Sequence, residues 1–534
     1  MDFNLTEEQI TFQNSVRNLA DKYLKKDNLR RAHDPLFPKD IAKLFSNNGL
    51  MGITLPEKDG GQGGNLMDAV LAIEQVALIC PRSADVIQAG SFGPIRTFAE
   101  YATDYQKEKY LKKLLNGEMV IGLGMTEPNA GSAVTDLTTK AVQDGKGFRV
   151  SGSKVFTSNS PDADIFLIYV RYHEGINGIG SVIMDTSMPG FSKGKSSKYT
   201  NGEEWCALYF DNVYIPEENV LLGPGGFKKQ ISGFNAERIG NSARSLALGE
   251  FAFNVAKEYA LTREQFGKKI CEFQGIQWKF SDMKIQIEAG RLLLYRAAIN
   301  ADRGFPSSKE TSIAKAFCNK AGFEISNEAM QVMGGTGYSQ ESLVEYCFRK
   351  SRGWQIAGGS TEMMKNRIAE DIFERRFSQR PNEWFLIMID VSLSQSFLNP
   401  KSVAIIGASA DPKKTSSRAQ RFLVSHGYKG KIFPVNPNRE EIFGLKCYPN
   451  LKSINEHIDH IFIVVDSNKI IEAIKDAISK KVRCATILSG GFTESGSEGN
   501  DLEKQVFKIA QKGDLRILGP NSIGLINISD NVVL

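Results

Sequence analysis

The chain has 534 residues, too many for one hydrophobic core, so two or more domains are expected. Hydrophobic residues make up 41% and charged residues 24%, the balance of a soluble globular protein. The net charge of +5, from 66 basic and 61 acidic residues, is spread without a dense basic block, which argues against nucleic acid as a partner.

The N-terminus MDFNLTEEQI lacks the basic flank and apolar run of a secretory signal, and no apolar stretch has the length of a membrane span. Cys80, Cys206, Cys271, Cys318, Cys347, Cys447 and Cys484 are odd in number and widely spaced, with no CxxC. That usage points to a reduced compartment, the cytoplasm, and to no metal site.

Residues 1–118 read as a helical domain. TEEQITFQNSVRNLADKYL places Ile10, Phe12, Val16 and Leu19 near helical spacing behind a capping Thr6. Across residues 119–225, the β-rich runs GFRVSG, KVFTS, DIFLIYV, GSVIMD and CALYFDNVYIP are separated by Gly, Asn, Asp and Pro, which predicts an antiparallel β domain. Residues 226–382 return to long helical patterns, with Asn235 as the expected N-cap of a helix beginning at Glu237. A connector at 383–397 leads to residues 398–534. There SVAIIGAS, KIFPVNP, HIFIVVD, CATILSGG and LRILGPN alternate with helix-length segments, predicting a Rossmann-like, doubly wound parallel α/β domain.

In the run MTEPNAGSAVTDLTTKA the small residues Ala130, Gly131 and Ser132 let backbone amides approach a flat or anionic ligand. The pattern Thr126-Glu127-Pro128-x-Ala130-Gly131-Ser132, followed by Lys154-x-Phe156-x-Ser158-Asn159, resembles the acyl-CoA dehydrogenase family. LPEKDGGQGG, TREQFGKKICEFQ and QVMGGTGY are similar to that family's landmarks and stand in its order over residues 1–380.

The resemblance implies a helical, β-barrel, helical-bundle fold and FAD as cofactor. It assigns Met125, Thr126, Gly131, Ser132, Phe156 and Ser158 to the isoalloxazine. Arg263, Phe266, Gln274, Gln331, Gly334 and Gly335 would reach the diphosphate and adenosine across a subunit boundary, so a homo-oligomer, dimer or tetramer, is expected. Ser360 and Glu362 complete the implied FAD contacts, and Ser132, Asn235, Arg238 and Gly358 the acyl-CoA contacts. The implied reaction is α,β-dehydrogenation of an acyl-CoA thioester, with an electron-transferring flavoprotein or similar acceptor. A flavin enoyl-CoA reductase and a catalytically silent CoA-ester-binding protein are the alternatives.

Such chemistry requires a base for the α proton. One branch of the family carries a Glu where this chain has Gly358 in AGGS, and glycine takes no proton. The isovaleryl-CoA and long-chain branches carry it on a helix whose start FNAERIG resembles, which makes Glu237 the expected base and Glu362 the fallback. In a first turn, the helix dipole would favour the ionised Glu237 while burial opposed it.

Residues 398–534, through GASADPKK, KIFPVNPN, IFGLKCYPNL, SGGFTESG and GPNSIGLIN, resemble the CoA-binding domain of nucleoside-diphosphate-forming acyl-CoA synthetases. Gly407, Ala408, Ser409, Lys413, Val435 and Asn436 match its nucleotide-cradling positions. A strand, small-residue turn and helix starting at residue 402 would present backbone N–H groups to phosphates. A synthetase partner subunit is the further expectation.

Overall fold

The computed structural model describes residues 4–157, 159–301, 304–377, 391–522, 524–527 and 532–533. It divides into two compact units, residues 1–377 and 378–534. Most of the expected connector, residues 383–390, lies outside the described residues, while Val391–Leu398 is helical.

The first unit begins with α1 (Glu7–Leu24), which Thr6 and Gln9 close with a reciprocal capping box. Val16 is buried on the core face, but Ile10, expected there, is 47% exposed. The apolar α2 (Leu66–Ala77) buries ten of its twelve residues. Beyond it come α3 (Ala84–Ser91) and α4 (Gly93–Tyr101), separated by Phe92, with a left-handed Gly93 opening the second.

Eight strands follow: β1 (Ile121–Gly124), β2 (Lys140–Asp144), β3 (Gly147–Lys154), β4 (Ile165–Arg171), β5 (Ile179–Asp185), β6 (Phe191–Lys193), β7 (Leu208–Ile215) and β8 (Val220–Leu222). Their order is β8-β5-β4-β2-β3-β7-β6, with β1 beside β4. The expectation of an antiparallel domain needs correction, because β1 and β2 both run parallel to β4. The chain between β1 and β4 passes through the β2–β3 hairpin and so returns in the same direction, laying β1 alongside IFLIYV, all six residues of which are buried. KVFTS is likewise not a strand: β3 ends at Lys154 and Phe156 turns the chain at φ 54°.

A bundle closes the unit: α5 (Phe227–Thr262), α6 (Gln274–Ile299), α7 (Ser308–Met333), α8 (Leu343–Trp354) and α9 (Thr361–Ile372). The expected cap at Asn235 is overturned. α5 starts at Phe227, because the GPGG run just before it supplies the break, and Asn235 lies well inside the helix. Glu237 is therefore not in a first turn, and the helix-terminal field does not act on it.

The second unit carries α10 (Val391–Leu398), β9 (Ser402–Ile406), α11 (Arg418–Ser425), β10 (Lys431–Val435), β11 (His460–Ile463), α12 (Ile470–Ser479), β12 (Cys484–Ile487), α13 (Ser497–Lys512) and β13 (Arg516–Leu518). The sheet is parallel throughout, in the order β10-β9-β11-β12-β13. That is a doubly wound arrangement whose order reverses beside β9.

Candidate active site

The site of the first unit is built on α5, where Phe234, Glu237, Asn241 and Arg244 recur at helical spacing and all line one cavity of about 230 Å³. Two glycines on the same helix let the neighbouring helices close in. A Cβ on Gly240 would stand 3.0 Å from the Phe92 ring, and one on Gly233 would overlap the Thr97 hydroxyl. That close approach sets Gln88 of α3 against α5. Its side-chain amide donates to Glu237 Oε1 at 2.7 Å and also to Asn241 Oδ1, while its carbonyl accepts from Arg244 Nη1 at 3.1 Å.

Glu237 Oε2 is out of solvent and has no hydrogen-bond partner. What exposure the residue retains opens onto the cavity it lines. Burial pushes its carboxyl up to about 7, with the Gln88 hydrogen bond, the Lys315 charge and the Gly93 backbone acting in the opposite sense. A side chain at position 93 would press on this carboxylate, its Cβ only 2.9 Å from Oε2. Lys315 of α7 is itself buried, donates to the Trp354 carbonyl at 2.8 Å, and is pushed down to about 7 by burial and by Arg238.

The loop at residues 357–360 closes the cavity with Ala357 and Gly358. Gly358 has φ 70°, and a Cβ there would lie 2.5 Å from Asn241 Nδ2. Arg238 holds the loop from α5, donating Nε to the Gly358 carbonyl and Nη1 to Asn235 Oδ1, both at 3.0 Å. Of the expected substrate contacts, then, Gly358 lines the cavity, while Arg238 and Asn235 brace the loop behind it and Ser132 is exposed. Ser360 caps α9 by accepting from Met363 N. Glu362 stands exposed in the first turn of that helix and outside the cavity lining, which removes it as the fallback base.

The expected FAD residues fall into two groups. Met125, Thr126, Gly131, Ser132 and Phe156 gather around the turn after β1, where Thr126 accepts from Val155 N and Phe156 lies 4.5 Å from the Trp205 ring. Glu127 anchors this turn: its carboxylate accepts from Thr138, Thr139 and the buried Lys154, which hold it down at about 2 against the cost of burial. Ser158 lies outside the described residues. Arg263, Phe266 and Gln274 form the other group with Gln331, Gly334 and Gly335; Ile270 and Val332 pack the two segments together. Every named residue of this second group is exposed, Phe266 at 94%.

These features fit FAD. Phe156 offers a half-exposed aromatic face beside a buried, orphaned Thr157 Oγ1, and a Cβ on Gly131, Gly334 or Gly335 would meet nothing. A flat ring with polar edges suits the first group, and an exposed guanidinium and bare glycines suit a diphosphate.

Residues 6–118, 122–213 and 224–373 match the N-terminal, middle and C-terminal domains of acyl-CoA dehydrogenase. The chain belongs to the acyl-CoA dehydrogenase family. It is thereby an FAD-dependent oxidoreductase, and residues 401–528 match a CoA binding domain. The chain is 32% identical to a short-chain-specific acyl-CoA dehydrogenase of Clostridium acetobutylicum, over 70% of this chain and 100% of the relative. It is also 32% identical to an NADH acryloyl-CoA reductase of Anaerotignum propionicum, over 70% and 97% respectively. The crystal structure of butyryl-CoA dehydrogenase from Megasphaera elsdenii superposes with a TM-score of 0.66 at 32% identity, covering 70% of this chain and all of that one.

In the CoA-binding unit the structure brings together Gly407, Ala408, Val435 and Asn436 at the C-terminal ends of β9 and β10. Gly407 N donates to the Val435 carbonyl at 3.0 Å and Asn436 Nδ2 to the Ala408 carbonyl at 2.8 Å. Gly407 has φ 86°, and a Cβ there would overlap the Val464 carbonyl. Ser409 and Lys413 lie on the same loop, tied through Asp411. The expectation of a helix opening directly on this turn is corrected: α11 begins only at Arg418, so the cradle is made by the loop.

The motifs in the sequence missed Gln88, Asn241, Lys315 and Arg244. Their one signal was polar residues inside otherwise apolar helical patterns.

Proposed function

We propose that the first unit dehydrogenates an acyl-CoA thioester between Cα and Cβ, with Glu237 as the base. The observation that carries this is the buried, singly hydrogen-bonded carboxylate facing the cavity beside the glycine loop. With its carboxyl at about 7, Glu237 is a stronger base than an ordinary carboxylate yet still ionises near neutrality. Its free Oε2 takes the α proton, and Gln88 orients the carboxylate through Oε1. Phe234, Tyr169 and Leu123 wall the cavity with apolar surface that excludes water. Bound FAD would supply the hydride acceptor for the β carbon, held by the segment from Met125 to Ser132 and by Phe156.

Replacement by Glu237→Gln is the test: stopped-flow mixing of the holoenzyme with acyl-CoAs should show flavin bleaching slowed at least 100-fold, within the usual range for a general base. Unchanged bleaching refutes the assignment. Because Glu237 titrates near neutrality, the same atoms would serve enoyl-CoA reduction with the carboxyl as proton donor. That second reading is favoured if reduced enzyme transfers its electrons to enoyl-CoA faster than acyl-CoA bleaches it.

Assembly as a homotetramer accounts for the exposed second group of FAD residues. On α6, Trp278, Ile285, Leu292 and Ile299 recur every seven residues and are 61%, 66%, 51% and 58% exposed, an apolar stripe suited to another helix. An electron-transferring flavoprotein is the proposed acceptor, and a synthetase subunit the proposed partner of the CoA-binding unit. All seven cysteines are free thiols, which supports a cytoplasmic setting.

A further inference from the structure

Lys315 of α7 is 1% exposed, and its one hydrogen bond among the described residues goes to a backbone carbonyl, that of Trp354, at 2.8 Å. Among those residues its ammonium forms no ion pair. An unpaired buried charge is costly, so Lys315 needs negative potential from elsewhere. The charged groups on the surrounding helices are already matched: Arg82, Arg244 and Lys350 to Asp85 or Glu203, Arg96 of α4 to Glu100, and Arg367 of α9 to Glu370.

Two sources of negative potential remain. Trp354 ends α8, where the helix dipole is negative, and its carbonyl receives Asn319 Nδ2 as well, at 2.6 Å. This carbonyl is the root of the glycine loop, which Arg238 holds further on through the Gly358 carbonyl. A Cβ on Gly358 would stand 3.6 Å from Lys315 Cε, so the lysine stem lies directly behind the glycine backbone that lines the cavity. The other source is Glu237. Its charge favours the ammonium form of Lys315 against burial and against Arg238, and the ammonium in turn favours the Glu237 carboxylate.

We propose that Lys315 is a positioning residue of the reaction, fastened behind the glycine loop as the countercharge that keeps Glu237 a carboxylate when substrate fills the cavity. Lys315 lies outside the cavity lining, so it acts through the loop and through Glu237 and not on the substrate. Without that ammonium the Glu237 carboxyl, already raised to about 7 by burial, would rise further, and ionised base would appear only at higher pH. The inference rests on Glu237 being the base of the dehydrogenase reading.

The test uses the FAD-loaded full chain and follows Glu237 in two ways. The acid limb of flavin bleaching is measured with whichever of butyryl-, octanoyl- and palmitoyl-CoA reduces the wild type fastest. The second readout needs no substrate: the melting-temperature difference between each protein and its Glu237→Gln partner, taken across pH. That difference levels off above the folded value of the carboxyl, because the stability a raised carboxyl contributes is lost as pH rises through it. Lys315→Gln removes the charge but keeps a donor for the Trp354 carbonyl. It should move the acid limb and the levelling point upward by about one pH unit, the lower end of the usual effect of an opposite charge. Lys315→Arg should return both toward the wild type, and Asn319→Ala, which loosens the same carbonyl without changing charge, should move neither. Lys315→Met repeats the measurement if Lys315→Gln does not fold, with flavin content as the folding control. Unmoved readouts in a folded variant without the charge, or an equal shift in Asn319→Ala, overturn the inference and leave the dehydrogenase reading intact. A shifted melting difference in a chain that none of the thioesters bleaches supports the pairing of Lys315 with Glu237 and refutes the dehydrogenase reading instead.

Discussion

Gln88 and Glu237, 149 residues apart in the chain, meet at 2.7 Å, and the same Gln88 side chain accepts from Arg244 at 3.1 Å. Glu237 is therefore tied to the buried Arg244 by a single amide. Gln88→Leu removes the hydrogen bond that lowers the Glu237 carboxyl. A bond to a charged group contributes about 1.5 kcal/mol or more, and a tenfold change in proton affinity corresponds to about 1.4 kcal/mol. The acid limb of the rate–pH profile for flavin reduction should move upward by about one pH unit; an unmoved limb shows that Gln88 does not act on the base.

Glu237 should also leave a mark on stability. Its folded value of about 7 lies above the ordinary 4.5, so the folded state holds its proton more tightly than the unfolded chain. The stabilising contribution is full below pH 4.5 and is lost as pH rises through 7. The difference amounts to at most about 3 kcal/mol at 1.36 kcal/mol per pH unit. Glu237→Gln should raise the melting temperature at pH 8 and change it little at pH 4. The opposite ordering would mean that the carboxylate is solvated or paired.

Moving the base back to the loop should fail. Gly358→Glu, placed in a Glu237→Gln background, must adopt φ near 70°, at roughly 1–2 kcal/mol for a non-glycine residue, and its Cβ would press on Asn241 Nδ2. Flavin reduction should stay at the level of the single variant, and recovery above a tenth of the wild-type rate would refute this.

Ile285→Glu places a charge in the middle of the exposed α6 stripe. Sedimentation should show loss of the oligomer, and flavin content should fall with it, because Arg263, Phe266 and Gln331 are exposed in the single chain. An oligomer that dissociates while keeping its FAD would show that the second residue group is not shared between subunits.

The three-part organisation of the first unit and the alternating strands of the second were legible because hydrophobic period and turn residues are local properties. So was the glycine at 358, a residue with no side chain to take a proton. Local pattern misplaced the start of α5, because Asn235 has cap chemistry but sits inside a helix that GPGG had already begun. It also missed the parallel pairing of β1 and β2 with β4, which depends on a partner distant in the chain.

What the amino-acid order determined by itself, then, was the identity of the elements and the residue types available for chemistry: a helical Glu, a bare glycine loop, and a CoA-type turn at Gly407. Only the tertiary structure decided that Glu237 stands beside Gln88 in a cavity with Arg244 and Lys350 in its lining. Burial and charge are sums over neighbours from α3, α5, α7 and α8, and no single segment contains that sum.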